Sequence, residues 1–89
     1  RLIRATTQGG VQLGFDAEEA MQMSMQTALG AASLLIETDT HPEQEIDKVT
    51  TPRGCTITGL NEMEHQGLSS SLIQGLVASF NKINEISKQ

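Results

Sequence analysis

The sequence is short of the residues on which several classes of protein depend. It has 89 residues, neither tryptophan nor tyrosine, and only two aromatic side chains, Phe15 and Phe80. Base recognition by stacking needs aromatic side chains, and binding to a phosphate backbone needs clustered lysine and arginine. With 11 acidic residues against 6 basic ones and a formal charge of -5, the composition argues against a nucleic-acid partner.

The sequence also lacks the residues for a stabilising disulfide or a structural metal site. The single cysteine, Cys55, excludes an internal disulfide. His41 and His65 lack a CxxC or HxxxH partner, so no metal site is expected. No apolar run approaches the ~20 residues of a membrane span, and no signal-peptide pattern opens the sequence, so we expect a cytoplasmic protein without membrane contact. Because a small core without staples is weak, we expect a second copy or a larger protein to complete it.

Apolar residues recur with helical period along the chain, which predicts a single all-α unit over residues 1–89. We predict a helical bundle of four to five helices at approximately 1–13, 17–37, 42–48, 52–66 and 68–87. Gly14 and Gly67 are expected to end helices, and Asp16 to cap the second one. Because the sequence opens at Arg1 with a helical pattern and no capping residue, we expect it to be a segment of a longer protein.

Two of the predicted helices carry more apolar surface than a short chain can cover. The second is apolar on most sides and contains the small residues Gly30, Ala31 and Ala32, which permit close approach of another helix. The last carries an apolar stripe made of Leu72, Leu76, Phe80 and Ile83. A globular core helix would show the same pattern, but the little material available to surround it favours a second subunit.

The segment from Thr51 to Thr56 is the one that suggests chemistry. Thr51 is a plausible helix N-cap and Pro52 a suitable first helical residue. Acidic residues usually occupy the first turn of a helix, but here Arg53 follows and no acid comes before Glu62. Free backbone N–H groups, the positive end of the helix dipole and two hydroxyls would suit a carboxylate or a phosphate. An ordinary helix start with nothing bound fits the same residues.

These residues also resemble a known enzyme family. His41-Pro42, the stretch VTTPRGCTITGL from Val49 to Leu60, and then Glu64 and Gly67 are similar to the signature of pyrroline-5-carboxylate reductase. The resemblance covers essentially the whole chain and corresponds to the C-terminal dimerisation domain of that family. It implies an interlocked homodimer that takes part in reducing 1-pyrroline-5-carboxylate to L-proline, with hydride from NADPH or NADH.

The resemblance also implies roles for particular residues. Thr51, the turn formed by Gly54 and Cys55, and Thr56 would hold the substrate carboxylate through hydroxyls and backbone amides. Thr56 would be the catalytic residue, orienting the ring first and delivering a proton second. Two positions depart from the family pattern. Glu45 replaces an aliphatic residue, and Arg53 replaces a small one, most often glycine, which adds a positive charge near the substrate.

The cofactor fold that the family carries is not found in this sequence. None of its glycines forms the strand–GxGxxG–helix unit of a Rossmann domain, which in the family precedes this region. The 89 residues alone are therefore expected to have no reductase activity. The alternative is a free-standing helical dimerisation or interaction module without catalysis. That alternative explains the size and the apolar stripes, but not the hydroxyl–Pro–x–Gly–x–Thr segment.

Overall fold

The computed structural model describes residues 1–50 and 52–87. Five helices account for most of them, and no strand occurs within these two ranges, which confirms the all-α prediction. The helices are α1 (Leu2–Gln12), α2 (Ala17–Thr38), α3 (Pro42–Val49), α4 (Cys55–His65) and α5 (Leu68–Ser87). The chain divides into two compact units, Arg1–Glu45 and a second that begins at Ile46. None of the helices in the described ranges is long and apolar enough to cross a membrane.

The turn between α1 and α2 forms where the sequence predicts it. Gly14 adopts φ +111°, a conformation that glycine accepts readily because it has no Cβ. The Gly14 amide donates to the Val11 carbonyl, and the Phe15 amide donates to the Gly10 carbonyl, both at 3.0 Å. These two bonds are those of a Schellman motif, which satisfies the last carbonyls of a helix. The Asp16 carboxylate then caps α2 by accepting from the Glu19 amide at 3.3 Å, as predicted.

The first unit is held together by small residues where α1 meets α2. Ala20 and Ser24 are the only described residues that are buried, at 2% and 6% exposure. The Ser24 hydroxyl donates to the Ala20 carbonyl at 2.7 Å, and the Thr7 hydroxyl lies 3.4 Å from the Ser24 hydroxyl. Gly10 faces Ala20, and a Cβ on Gly10 would lie 3.0 Å from the Ala20 Cβ. Small side chains therefore let the two helix backbones approach closely, but they bury little apolar surface.

A polar corner joins α2 to α3 within the first unit. Asp39 ends α2 in the left-handed conformation with φ +54°. The Thr40 hydroxyl donates to the Glu45 carboxylate at 2.7 Å, so the acid that departs from the family pattern has a hydrogen-bond partner. His41 precedes α3, and its Nδ1 accepts from the Glu43 amide at 3.1 Å. His41 therefore acts as a capping residue, as its position before Pro42 suggests.

The second unit joins α4 to α5 at Gly67. Gly67 has φ +91°, and its amide donates to the Glu64 carbonyl at 2.9 Å, which ends α4 as predicted. The Ser69 hydroxyl in the first turn of α5 donates to the Glu64 carboxylate at 2.6 Å. This bond ties the first turn of α5 back to α4. The observed bounds of α5, Leu68–Ser87, match the predicted ones.

Most large apolar side chains of α2 and α5 are exposed in this single chain. Of those on α2, Leu29 is 61% exposed and Ile36 is 81% exposed. The stripe predicted on α5 is equally open, with Leu72, Leu76, Phe80 and Ile83 each at least half exposed. One chain therefore leaves uncovered the two apolar surfaces that the sequence marks as excessive, and patches of this kind are typical of interaction sites.

Candidate functional site at the start of the fourth helix

The start of α4 lies further along the chain than the sequence predicts. The sequence predicts Thr51 as the N-cap of this helix and Pro52 as its first residue, and that prediction is wrong. In the structure Gly54 is the N-cap and Cys55 is the first helical residue. Thr51 itself lies outside the described residues. Pro52 and Arg53 instead form a turn before the helix. The fixed φ of proline suits the second position of a turn as well as the first position of a helix, which is why the sequence pattern misplaced the boundary.

The backbone conformation of Arg53 prevents α4 from starting before Gly54. Its φ is +60°, in the left-handed region, and a right-handed helix cannot run through that conformation. For a residue with a Cβ, such a conformation costs on the order of 1 kcal/mol. This geometry gives a physical reason why glycine suits the position in the family that the chain resembles. The side chain of Arg53 is exposed.

Three backbone amides at the start of α4 have no hydrogen-bond acceptor within the helix. The Thr58 amide donates to the Gly54 carbonyl at 3.3 Å and is the first in α4 with a partner four residues back. The amides of Cys55, Thr56 and Ile57 come before it and so have no helical carbonyl to bind. The Ile57 amide was not among the predicted site groups. It becomes one as soon as Gly54 is recognised as the N-cap, because it is then the third helical position.

The surroundings of these amides favour an anion. The first turn of α4 contains no acidic residue, and Gly54 makes no capping bond through a side chain. Glutamate occupies the first turns of α2 and α3, whereas the first turns of α1 and α5, like that of α4, contain no acidic residue. The amides and the helix dipole together place partial positive charge at this end of α4. The acid-free segment of the sequence thus includes the helix start that the structure shows.

Two threonines of α4 differ in what their hydroxyls do. The Thr58 hydroxyl donates to the Gly54 carbonyl at 3.0 Å, a common bond for threonine inside a helix. The Thr56 hydroxyl makes no hydrogen bond with any residue in the described ranges, and the side chain is half-buried. It cannot bind back in the same way, because Pro52 four residues earlier precedes the helix. Thr56 therefore keeps a hydroxyl for another partner beside the three amides.

Cys55 contributes its backbone amide to this group, and its thiol is free and exposed. The structure places Gly54, Cys55 and Thr56 together as consecutive residues at one helix end, so three of the four predicted site residues share one location. The amides of Cys55 and Thr56 and the Thr56 hydroxyl can hold a small carboxylate by several hydrogen bonds at once. Fixing a carboxylate in this way also fixes the orientation of the molecule attached to it.

Cofactor and metal binding find less support in these residues. No strand precedes a glycine-rich loop in residues 1–50 and 52–87, so the strand–loop–helix unit that cradles a dinucleotide does not occur there. The described side chains also include no group of three or more His, Cys, Asp or Glu residues positioned for a metal ion.

Comparison with known proteins agrees with the resemblance seen in the sequence. Residues 1–86 match the family model described as pyrroline-5-carboxylate reductase dimerisation. The chain is 61% identical to pyrroline-5-carboxylate reductase 1 of Dictyostelium discoideum over 92% of its own length and 15% of that protein. It is 50% identical to reductase 2 of the same organism, covering 98% of the chain and 32% of that protein. The reductase of Synechocystis is 39% identical, covering 99% of the chain and 33% of that protein. The chain thus spans about a third or less of these curated relatives.

Proposed function

Because the chain belongs to the pyrroline-5-carboxylate reductase dimerisation family, we propose that it is the dimerisation and substrate-carboxylate-binding part of such a reductase. The whole enzyme reduces 1-pyrroline-5-carboxylate to L-proline with NADPH or NADH, as a step of proline biosynthesis in the cytoplasm. The names of the relatives in Dictyostelium and Synechocystis support this activity. The observation within this chain that carries the proposal is the start of α4, where free amides, the absence of an acid in the first turn and a Thr56 hydroxyl unused within the described residues occur together.

The substrate carboxylate binds at that helix start. The amides of Cys55, Thr56 and Ile57 donate hydrogen bonds to its two oxygens, Gly54 lets the carboxylate approach the backbone, and the helix dipole adds attraction for the negative charge. Thr51, which precedes Pro52 in the sequence, is the fourth residue that the family resemblance assigns to this group. Holding both carboxylate oxygens restricts how the planar ring can lie, and a second contact to the ring then presents one face of the imine carbon for reduction.

Thr56 acts on the ring nitrogen, which is bonded to the carbon that carries the carboxylate. Its hydroxyl is not used within the described residues, and it lies on the same helical turn as the amides. It hydrogen-bonds the ring nitrogen, which must carry a proton when the imine is reduced. An unactivated hydroxyl is a weak acid, so the main role of Thr56 is orientation, and proton delivery comes second.

The bound nicotinamide supplies the hydride in this reaction. The described residues do not form a dinucleotide site, so the cofactor is held by a Rossmann domain outside the 89 residues, and the 89-residue chain alone is inactive. In this proposal the helical part binds the substrate carboxylate, and the Rossmann domain binds the cofactor that carries out the reduction. It also agrees with the share of the relatives that the chain covers.

The second role of the chain is self-association as an interlocked homodimer. The description of the matching family model names dimerisation. The exposed apolar side chains of α2 and α5 supply a surface for it. The all-round apolarity of α2 is then explained by helices of a second copy packing on sides that one chain leaves open. A free-standing helical interaction module would use the same surface, but it would not need an acid-free helix start with an unused hydroxyl.

The test compares two proteins in one assay. The product of the complete reading frame that contains this sequence, and the 89-residue chain alone, are each mixed with pyrroline-5-carboxylate and NADPH or NADH. Oxidation of the cofactor is followed by absorbance. Turnover by the longer protein and none by the 89-residue chain is the expected result. Absence of turnover by a folded longer protein would favour the interaction module, and turnover by the short chain would place the cofactor site within it.

A further inference from the structure

We propose that Arg53 is an additional substrate-binding residue, whose guanidinium attracts the carboxylate held at the start of α4. This inference rests on the proposed function and adds a specificity-determining charge to that site. Arg53 immediately precedes the N-cap Gly54, and its backbone has φ +60°. A positively charged side chain therefore stands at the helix end where the carboxylate binds.

The distance along the chain is short enough for direct contact. Cys55 lies two residues after Arg53, and two residues of chain span at most about 7 Å, which is comparable with the length of an extended arginine side chain. The guanidinium can therefore reach an anion that is bound by the amides of Cys55 and Thr56. Arginine also presents several donors in one plane, a geometry that matches the two oxygens of a carboxylate.

Arg53 makes no side-chain interaction within the described residues that would explain an arginine at this position. Its side chain is exposed and takes part in no hydrogen bond or ion pair with a residue of the described ranges. It occupies a conformation that glycine adopts without strain, so the backbone does not require arginine there. No acidic residue occurs in the first turn of α4 to neutralise its charge. The charge is thus available for a ligand.

The experiment uses Arg53→Gln and Arg53→Lys in the full-length enzyme, with Arg4→Gln as a matched control. Arg4 is an exposed arginine in α1, so Arg4→Gln removes the same charge from the same residue type elsewhere. Steady-state kinetics are measured with pyrroline-5-carboxylate and, separately, with 1-pyrroline, the same cyclic imine without its carboxylate. Circular dichroism verifies that each variant is folded.

We expect Arg53→Gln to raise KM for pyrroline-5-carboxylate about fivefold and to change kcat less than twofold, since the charge assists binding of a group remote from the reacting carbon. KM for 1-pyrroline should not change, because that substrate has no carboxylate to attract. Arg53→Lys should keep KM within about twofold of the wild-type value. The difference between Arg53→Gln and wild type should shrink as ionic strength rises toward 1 M, where the Debye length falls to about 3 Å.

Two results would overturn the assignment of Arg53. One is an unchanged KM for pyrroline-5-carboxylate in Arg53→Gln. The other is an equal rise of KM for 1-pyrroline, which would indicate a structural effect on the helix start. Failure of the proposed function would differ from both, because the wild-type enzyme would then show no turnover of pyrroline-5-carboxylate. If Arg53→Gln did not fold, an ionic-strength-independent KM in the wild-type enzyme would equally contradict the proposal.

Discussion

Gly10 of α1 faces Ala20 of α2 so closely that a Cβ on Gly10 would lie 3.0 Å from the Ala20 Cβ. Ala20 is the most buried apolar residue of the described chain, and its Cβ is fixed to the helix backbone. Nothing can move aside at this contact except the helices themselves. The pair therefore sets how near α1 can come to α2, and Gly9, with nothing within 4 Å of its Cβ position, provides the natural comparison.

Replacing either glycine by alanine should separate helix propensity from packing. Gly9→Ala should raise the free energy of unfolding by about 0.5–1 kcal/mol, because alanine loses less backbone entropy in a helix. Gly10→Ala receives the same benefit but forces the helices apart, at a cost of about 1–3 kcal/mol, and should be net destabilising. Chemical denaturation at a fixed protomer concentration measures both, since self-association makes stability concentration-dependent. Equal effects of the two substitutions would contradict the close contact.

Replacing Arg53 by glycine should stabilise the protein. The left-handed φ of +60° is strained for arginine and relaxed for glycine, so Arg53→Gly should raise the free energy of unfolding by about 1 kcal/mol. The gain is limited because glycine also adds freedom to the unfolded chain. Arg4→Gly within α1 is the control, and it should lower stability by about 0.7–1 kcal/mol. Thermal melts measure both variants. A higher melting temperature for Arg53→Gly and a lower one for Arg4→Gly would support the backbone argument, and a loss of stability in both variants would contradict it.

Replacing Thr56 by valine should impair catalysis in the full-length enzyme. Thr56→Val keeps the shape of the side chain but removes the hydroxyl proposed to orient the ring, and should lower kcat/KM about tenfold, or about 1.4 kcal/mol. Thr58→Val is the control, since that hydroxyl is already bonded to the Gly54 carbonyl. It should leave kcat/KM within about twofold. Steady-state rates of NADPH oxidation decide the matter, and equal losses in both variants would point to the helix start rather than to the Thr56 hydroxyl.

Replacing Leu76 by glutamate should weaken self-association without unfolding the chain. Leu76 is 73% exposed in the single chain, so its loss removes few contacts within it. If the side chain is covered by a second copy, a buried charge there should raise the dissociation constant at least tenfold. Gln74→Glu, which introduces the same charge at an exposed position of α5, should have a smaller effect. Sedimentation measures both, and a folded wild-type monomer at micromolar concentration would refute dimerisation.

The ends of several helices were predictable because their signals are local. Gly14 ends α1, Asp16 caps α2 and Gly67 ends α4, and each does so through bonds to residues within five positions along the chain. The period of the apolar residues defines α5 over Leu68–Ser87 for the same reason. Such features depend on φ values and side-chain oxygens that the residue types themselves favour.

The start of α4 was not predictable from the same kind of signal. Pro52 suits both a first helical turn and the turn before a helix, and the pattern could not choose between them. The positive φ of Arg53 made the choice, and it moved the N-cap from Thr51 to Gly54. Of the predicted site, Gly54, Cys55 and Thr56 remain together at the helix start, and the Ile57 amide joins them.

The sequence by itself determined the all-α class, most helix ends, the family and the segment that carries the site, because each of these is encoded by neighbours in the chain or by a motif of consecutive residues. Only the tertiary structure decided that Gly10, and not Gly9, meets Ala20, and that the apolar residues of α2 and α5 remain exposed in one chain. Those outcomes depend on which helix faces meet across a turn. A periodic pattern identifies an apolar face, but only the packing of one helix against another determines whether the chain itself covers it.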